Sequence, residues 1–173
     1  MDRNKKRRRR VFVSLILLAL LIGLGVIGAA ASPRLDGHPL VLSPDLARST
    51  HYLRFASAQI DILQTADAHM AEALQQGADA GNLLEQVRSA RLATEDALGV
   101  VDALEQEAIP FELDLLRQGL ADAAGAYVEA GRLMVLFINT PTTEAQSAAA
   151  HSLEQARASL AGARELWTRL TPR

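Results

Sequence analysis

Small and apolar side chains recur at alternating steps of three and four along nearly all of residues 46–170. That spacing keeps one stripe of a helix turned toward a neighbour, and it is incompatible with the period-two alternation of a sheet. Four series can be read. The first runs Leu46, Leu53, Ala56, Ile60, Leu63, Asp67, Met70, Leu74, and the second Val87, Ala90, Thr94, Ala97, Val101, Leu104, Ala108. The third is Leu113, Leu116, Leu120, Ala123, Tyr127, Ala130, Met134, Phe137, and the fourth Ala149, Leu153, Ala156, Leu160, Ala163, Trp167, Leu170.

Breaks between the series carry helix punctuation. Ser43 caps the first helix with Pro44 at its first position. Gly77 and Gly81 bracket the next turn, and Asn82 with Glu85 three residues on reads as a capping box. Pro110 opens the third helix. The step of five from Ala108 to Leu113 separates it from the second, and Ile109 before proline is pushed out of helical dihedrals. Asn139, Thr140 and Pro141 divide the third helix from the fourth. Short connections make sequential helices antiparallel, so residues 44–173 are expected to form an all-α, up-down-up-down four-helix bundle. Alanine recurring at seven-residue spacing lets backbones approach closely. A slim, filled core follows, with no room for a large cofactor, and none is expected.

Upstream, Lys5 to Arg10 form six consecutive basic residues that lead into Val11–Ala31, twenty-one residues interrupted only by Ser14. As a helix of about 1.5 Å per residue, that run matches a bilayer's hydrocarbon core. The expected layout is a basic cytoplasmic tail (1–10), a transmembrane signal anchor (11–31), a linker rich in proline (32–43) and an extracytoplasmic bundle. The N-terminus stays inside by the cationic flank, and membrane lipid is contacted through residues 1–31. The alternative is secretion after cleavage following Ala31, since Ala29 and Ala31 make an A-x-A pair. Gly23, Gly25 and Gly28 spell G-x-G-x-x-G without the strand–turn–helix setting that a dinucleotide site requires.

Charge divides along the same line. Residues 1–10 carry seven Lys/Arg against Asp2, a net +6, whereas residues 32–173 carry eleven Arg, no Lys and nineteen Asp/Glu, a net −8. An acidic bundle lacks the basic face that nucleic acid needs, so no nucleic-acid partner is expected. The chain has no cysteine, which removes disulfides and thiolate chemistry.

Catalytic signatures are missing: no Gly-x-Ser-x-Gly, phosphate loop or His-Glu-x-x-His is present. His69/Glu72 and His151/Glu154 are the sharpest metal candidates, but the heptad phase turns them off the seam, and no metal site is expected. The acidic cluster Glu105, Glu107, Glu112 and Asp114 fits no calcium-loop spacing. The one charge on an inward series is Asp67, unless the first helix is rotated by one position, which would put Ala66 inward and Asp67 at the rim. Asp67 lies nine residues before Gln76, Thr94 lies twelve into the second helix and Tyr127 eleven before Ile138. Antiparallel packing places the three at one height, where the hydroxyls could donate to the carboxylate in a buried polar layer.

These features predict a non-catalytic interaction or scaffold module, displaying helix faces to an unidentified protein partner or to itself. The sequence of basic terminus, apolar span and exported bundle resembles the first half of bacterial chemoreceptor-type sensors. That likeness implies a ligand-binding bundle. Those receptors continue into a second span and a cytoplasmic output, so a bundle ending at Arg173 would signal through a partner.

Overall fold

The computed structural model describes residues 20–28, 30, 34–35, 38–39, 44–76 and 82–171. It divides into two compact units, residues 1–48 and 49–173. In the first, residues 20–28 are helical, and β1 (Arg34–Leu35) pairs antiparallel with β2 (His38–Pro39). This ladder is two residues long on each side and lies outside the helical region. It falls in the linker, where proline and glycine exclude a helix. No helix among the described residues is long and apolar enough to cross a membrane. The basic tail 1–10 and residues 11–19, 29 and 31 of the expected span, with the Ala29/Ala31 pair, lie outside the described residues, as do Ser43, Gly77 and Gly81.

The remainder is helical: α1 (Pro44–Gln76), α2 (Leu83–Gln106), α3 (Asp114–Asn139) and α4 (Thr143–Leu170). Cross-helix bonds fix their directions. Trp167 Nε1 donates to the Leu53 carbonyl at 2.9 Å and Arg157 Nε to Asp67 Oδ1 at 2.7 Å, so α4 descends as α1 ascends. His51 Nε2 lies 3.1 Å from Glu107 Oε1, which puts the start of α1 beside the end of α2. Gly119 lies beside Ala163 and Leu166, and the short connection at 140–142 makes α3 and α4 antiparallel. The up-down-up-down bundle is therefore present.

The α2–α3 corner forms where Ile109–Pro110 interrupts the helix. Glu107 N donates to Ala103 O to close α2, and Pro110 is extended (φ −63°, ψ 136°). A 3-10 turn, Phe111–Leu113, intervenes before α3, so Pro110 precedes the helix instead of opening it. Asn82 makes no side-chain cap bond, which corrects the capping-box reading. Its carbonyl accepts from Glu85 N and Gln86 N at 3.0 Å, ordinary first-turn bonds. Before α4, Thr142 rather than Asn139 or Thr140 is the cap, its hydroxyl accepting from Ala145 N at 3.1 Å.

All eight residues of the third series are buried, and the fourth is buried through Ala163. In α1 and α2 the expected Ala56, Ile60, Leu63, Met70, Ala90, Ala97 and Leu104 are buried, but a small rotation shifts the seam positions between them by one residue. Tyr52, Ala66 and Ala73 face the core instead of Leu53, Asp67 and Leu74, and Gln86, Ala93 and Val100 do so instead of Val87, Thr94 and Val101. Alanine at these points allows close approach, and the flanking Leu53, Leu74, Val87 and Val101 pack against the core from its edge.

Gln86 is 1% exposed, and neither amide atom has a partner among the described residues. A buried amide left unpaired costs about 1–3 kcal/mol. Gln86→Met conserves shape and removes both groups, so it should stabilise the bundle by about 1 kcal/mol. Urea unfolding should show a higher midpoint with an unchanged slope.

Candidate functional site

The most elaborate polar arrangement joins three helices at mid-height. Tyr127 on α3 is fully buried, and its ring reaches through the core so that the hydroxyl emerges between α1 and α4. There it donates to Asp67 Oδ1 at 3.2 Å. Arg157 on α4 donates to the same oxygen through Nε at 2.7 Å, and through Nη1 to Glu154 Oε1 at 2.7 Å. The carboxylate is about a quarter exposed and the guanidinium a little over a third. This is a rim network, with one end in the core and the other in water.

Electrostatics follow from that position. Burial pushes the Tyr127 phenol well above its ordinary value, and the adjacent Asp67 charge and hydrogen bond push it further, with Arg157 opposing. The bond to Asp67 holds the Arg157 guanidinium protonated even more firmly than usual, and Glu154 adds to this. A phenol held neutral and an arginine held charged cannot exchange protons near neutral pH. The network is therefore suited to holding positions or binding charge.

The expected layer is assembled in part. Asp67 and Tyr127 meet, while Thr94 is turned aside: its hydroxyl donates to the Ala90 carbonyl one turn back, at 2.7 Å. The rotation of α1 and α2 explains both outcomes. It moves Asp67 and Thr94 from the centre to the edge, and only Tyr127 is long enough to follow. Arg157, the second donor, sits one residue past the inward Ala156, so a search confined to seam positions passes over it. Its sequence signal is a long cation flanking the seam, with Glu154 three residues before it.

Above this network lies an open cleft of about 330 Å³, lined by Gln64, Asp67, Tyr127, Arg157, Leu160, Ala161 and Arg164. Leu160 forms an apolar floor. Among the described residues, no group of three His, Asp or Glu side chains is placed to hold a metal ion. Of the two histidine pairs, His151 contacts Gln155 at 3.2 Å while Glu154 is engaged by Arg157. In the acidic cluster, Glu107 meets His51 and Asp114 meets Arg117. No known protein family, curated protein or solved structure matches the chain.

The rim network predicts coupling. Asp67→Ala and Tyr127→Phe should each cost about 0.5–1.5 kcal/mol, and together they should fall short of additivity by about 0.5 kcal/mol or more. Thr94→Ala, outside the network, should add independently to Asp67→Ala. Chemical denaturation of the three single variants and the two doubles checks both statements.

Proposed function

We propose that the chain is a membrane-anchored, extracytoplasmic interaction module without catalytic activity. The basic run ahead of Val11–Ala31 supports the anchor and its orientation. What supports the interaction role is the outer face of α2. That helix already buries one stripe in the core, yet its opposite side carries Leu84, Leu92 and Leu98 at 88%, 44% and 46% exposure. Leu84, Val87 and Leu92 line a shallow groove of about 280 Å³ together with Arg88, Arg91 and Glu95. Apolar side chains on both faces suit a helix that still has a partner to meet.

Charge along this face argues for a different protein over a second copy. Its first half presents Arg88 and Arg91, and its second half Glu95 and Asp102. Two upright copies anchored in one membrane would pair α2 with α2 in parallel, opposing arginine to arginine and glutamate to glutamate. Like charges opposed across an interface cost several kcal/mol. A helix with the reverse charge order and its own leucines fits better.

Photo-crosslinkers placed at positions 84, 98 and, as controls, 61 and 144 of the membrane-extracted protein test the reading. Crosslinks to one protein, confined to 84 and 98 and lost on Arg88→Glu/Arg91→Glu, are expected. Equal labelling from every face would overturn it.

The cleft over Tyr127 supports a second, sensor-like reading. The side chains of Arg164 and Gln64 have no hydrogen-bond or ion-pair partner among the described residues and face a donor-rich opening suited to a small carboxylate. A thermal shift with organic carboxylates, abolished by Arg164→Gln, would favour it; a shift that survives the substitution would count against it.

A further inference from the structure

The most exposed large apolar side chain of the bundle lies at one end. Phe111, in the 3-10 turn before α3, is 93% exposed, and Leu115 one turn further is 68% exposed. Their orientation is fixed by their neighbours. Leu113 and Leu116 are both buried against the core, so the positions two before and one before them turn outward. An aromatic and a leucine thus project together as a small apolar knob.

The chain enters the bundle at this same end. His51, two turns into α1, contacts Glu107 at 3.1 Å, only four residues before Phe111. Upstream, twelve residues, 32–43, separate the apolar run from α1. Fully extended they span about 40 Å, and less when they include turns. The end that bears Phe111 is therefore the end tethered closest to the apolar run.

We infer that Phe111 and Leu115 seat in the polar–apolar boundary of the bilayer that residues 11–31 span, docking this end of the bundle on lipid. The inference rests on the anchor reading above. Apolar side chains at such a boundary bury about 5–10 Å into the headgroup region. Charge selects the lipid. Glu105 and Glu112 flank the knob, Glu107 is engaged by His51, and Asp114 is ion-paired with Arg117. That acidic collar suits a zwitterionic surface and resists an anionic one.

Because the chain has no cysteine, a single one can report depth. Glu112→Cys keeps both apolar residues and places a spin label between them. Leu84→Cys, 88% exposed at the opposite end of α2, is the aqueous reference. The full-length protein is reconstituted in phosphatidylcholine vesicles, and the labels are challenged with a water-soluble paramagnetic nickel complex. A label 5–10 Å into the headgroups should be protected about fivefold relative to position 84. Phe111→Ser/Leu115→Ser in the Glu112→Cys background should abolish that protection, and both residues are too exposed for the change to unfold the bundle. Vesicle flotation separates the failures. Protein that floats with the vesicles while position 112 stays as accessible as position 84 overturns the docking and leaves the anchor standing. Protein that does not float overturns the anchor, and the docking with it.

Discussion

Gly131→Ala should destabilise the bundle by about 1–2 kcal/mol, and Thr94→Ala should reverse the sign. Gly131 is buried in α3 where it meets α2. A methyl group there would lie 2.0 Å from Thr94 Oγ1, 3.0 Å from Met70 Cε and 3.2 Å from Thr94 Cβ. Met70 can bend away, but the threonine hydroxyl is tied to the Ala90 carbonyl at 2.7 Å. Two effects compete. Alanine is the better helix former by about 1 kcal/mol, while overfilling a packed core costs about 1–3 kcal/mol. With Thr94 present the clash wins. With alanine at 94 the nearest atom is gone, and Gly131→Ala should become neutral or gain up to about 1 kcal/mol. Gly125, exposed on the same helix with nothing within 4 Å of a added methyl, is the control. Gly125→Ala should stabilise by about 0.5–1 kcal/mol in either background. Urea unfolding of the five variants against the parent decides it, and a Gly131→Ala cost unaffected by residue 94 would refute the packing account.

The second large effect is alkaline unfolding. The chain has two tyrosines, both fully buried. Burial pushes Tyr52 up to about 12, with Asp114 and Glu107 adding to the rise and Arg117 opposing it. Tyr127 is raised as well, first by burial and then by Asp67. Unfolded phenols ionise near pH 10, so above that pH the unfolded chain sheds protons that the folded one keeps. Stability is complete below about pH 10 and falls as pH rises through the folded values, by about 1.4 kcal/mol per pH unit for each phenol. Residues 32–173 contain no lysine or cysteine, and arginine stays charged, so little else titrates in this window. Denaturation midpoints from pH 8 to 12 should drop steeply, phenolate absorbance should rise together with loss of helix, and Tyr52→Phe or Tyr127→Phe should each flatten the slope. Phenolate appearing well before unfolding would mean the rings are open to water.

How legible these features are in the sequence depends on side-chain size. The third series could be placed because Leu116, Leu120, Tyr127, Met134 and Phe137 are large and their neighbours are mostly small or polar. In α1 and α2, alanine stands beside the ambiguous positions. Ala66–Asp67 and Ala93–Thr94 offer a small residue at one phase and a polar one at the next, and Tyr52–Leu53 and Gln86–Val87 offer two bulky ones. Spacing alone cannot then choose, and packing settles it by bringing the alanines inward. Of the polar rim, the height of Asp67 and Tyr127 was countable from helix ends. Arg157 was not, because its reach is a property of a flexible side chain crossing between helices, which periodicity does not encode.

The pairing of α1 with α4 has a consequence for the order in which the bundle can be made. Asp67 and Arg157 are 90 residues apart in sequence, and Leu53 and Trp167 are 114 apart. These bonds join α1 to α4, so the ring of helices cannot close until α4 has been made. Before then α1 keeps an uncovered apolar flank, and the half-made chain resembles an open three-helix sheet whose missing wall is still in the ribosome. Closing so distant a contact is entropically slow compared with the local α3–α4 hairpin. A chain cut before Trp167 would therefore leave α1 unlatched as well as shortening α4.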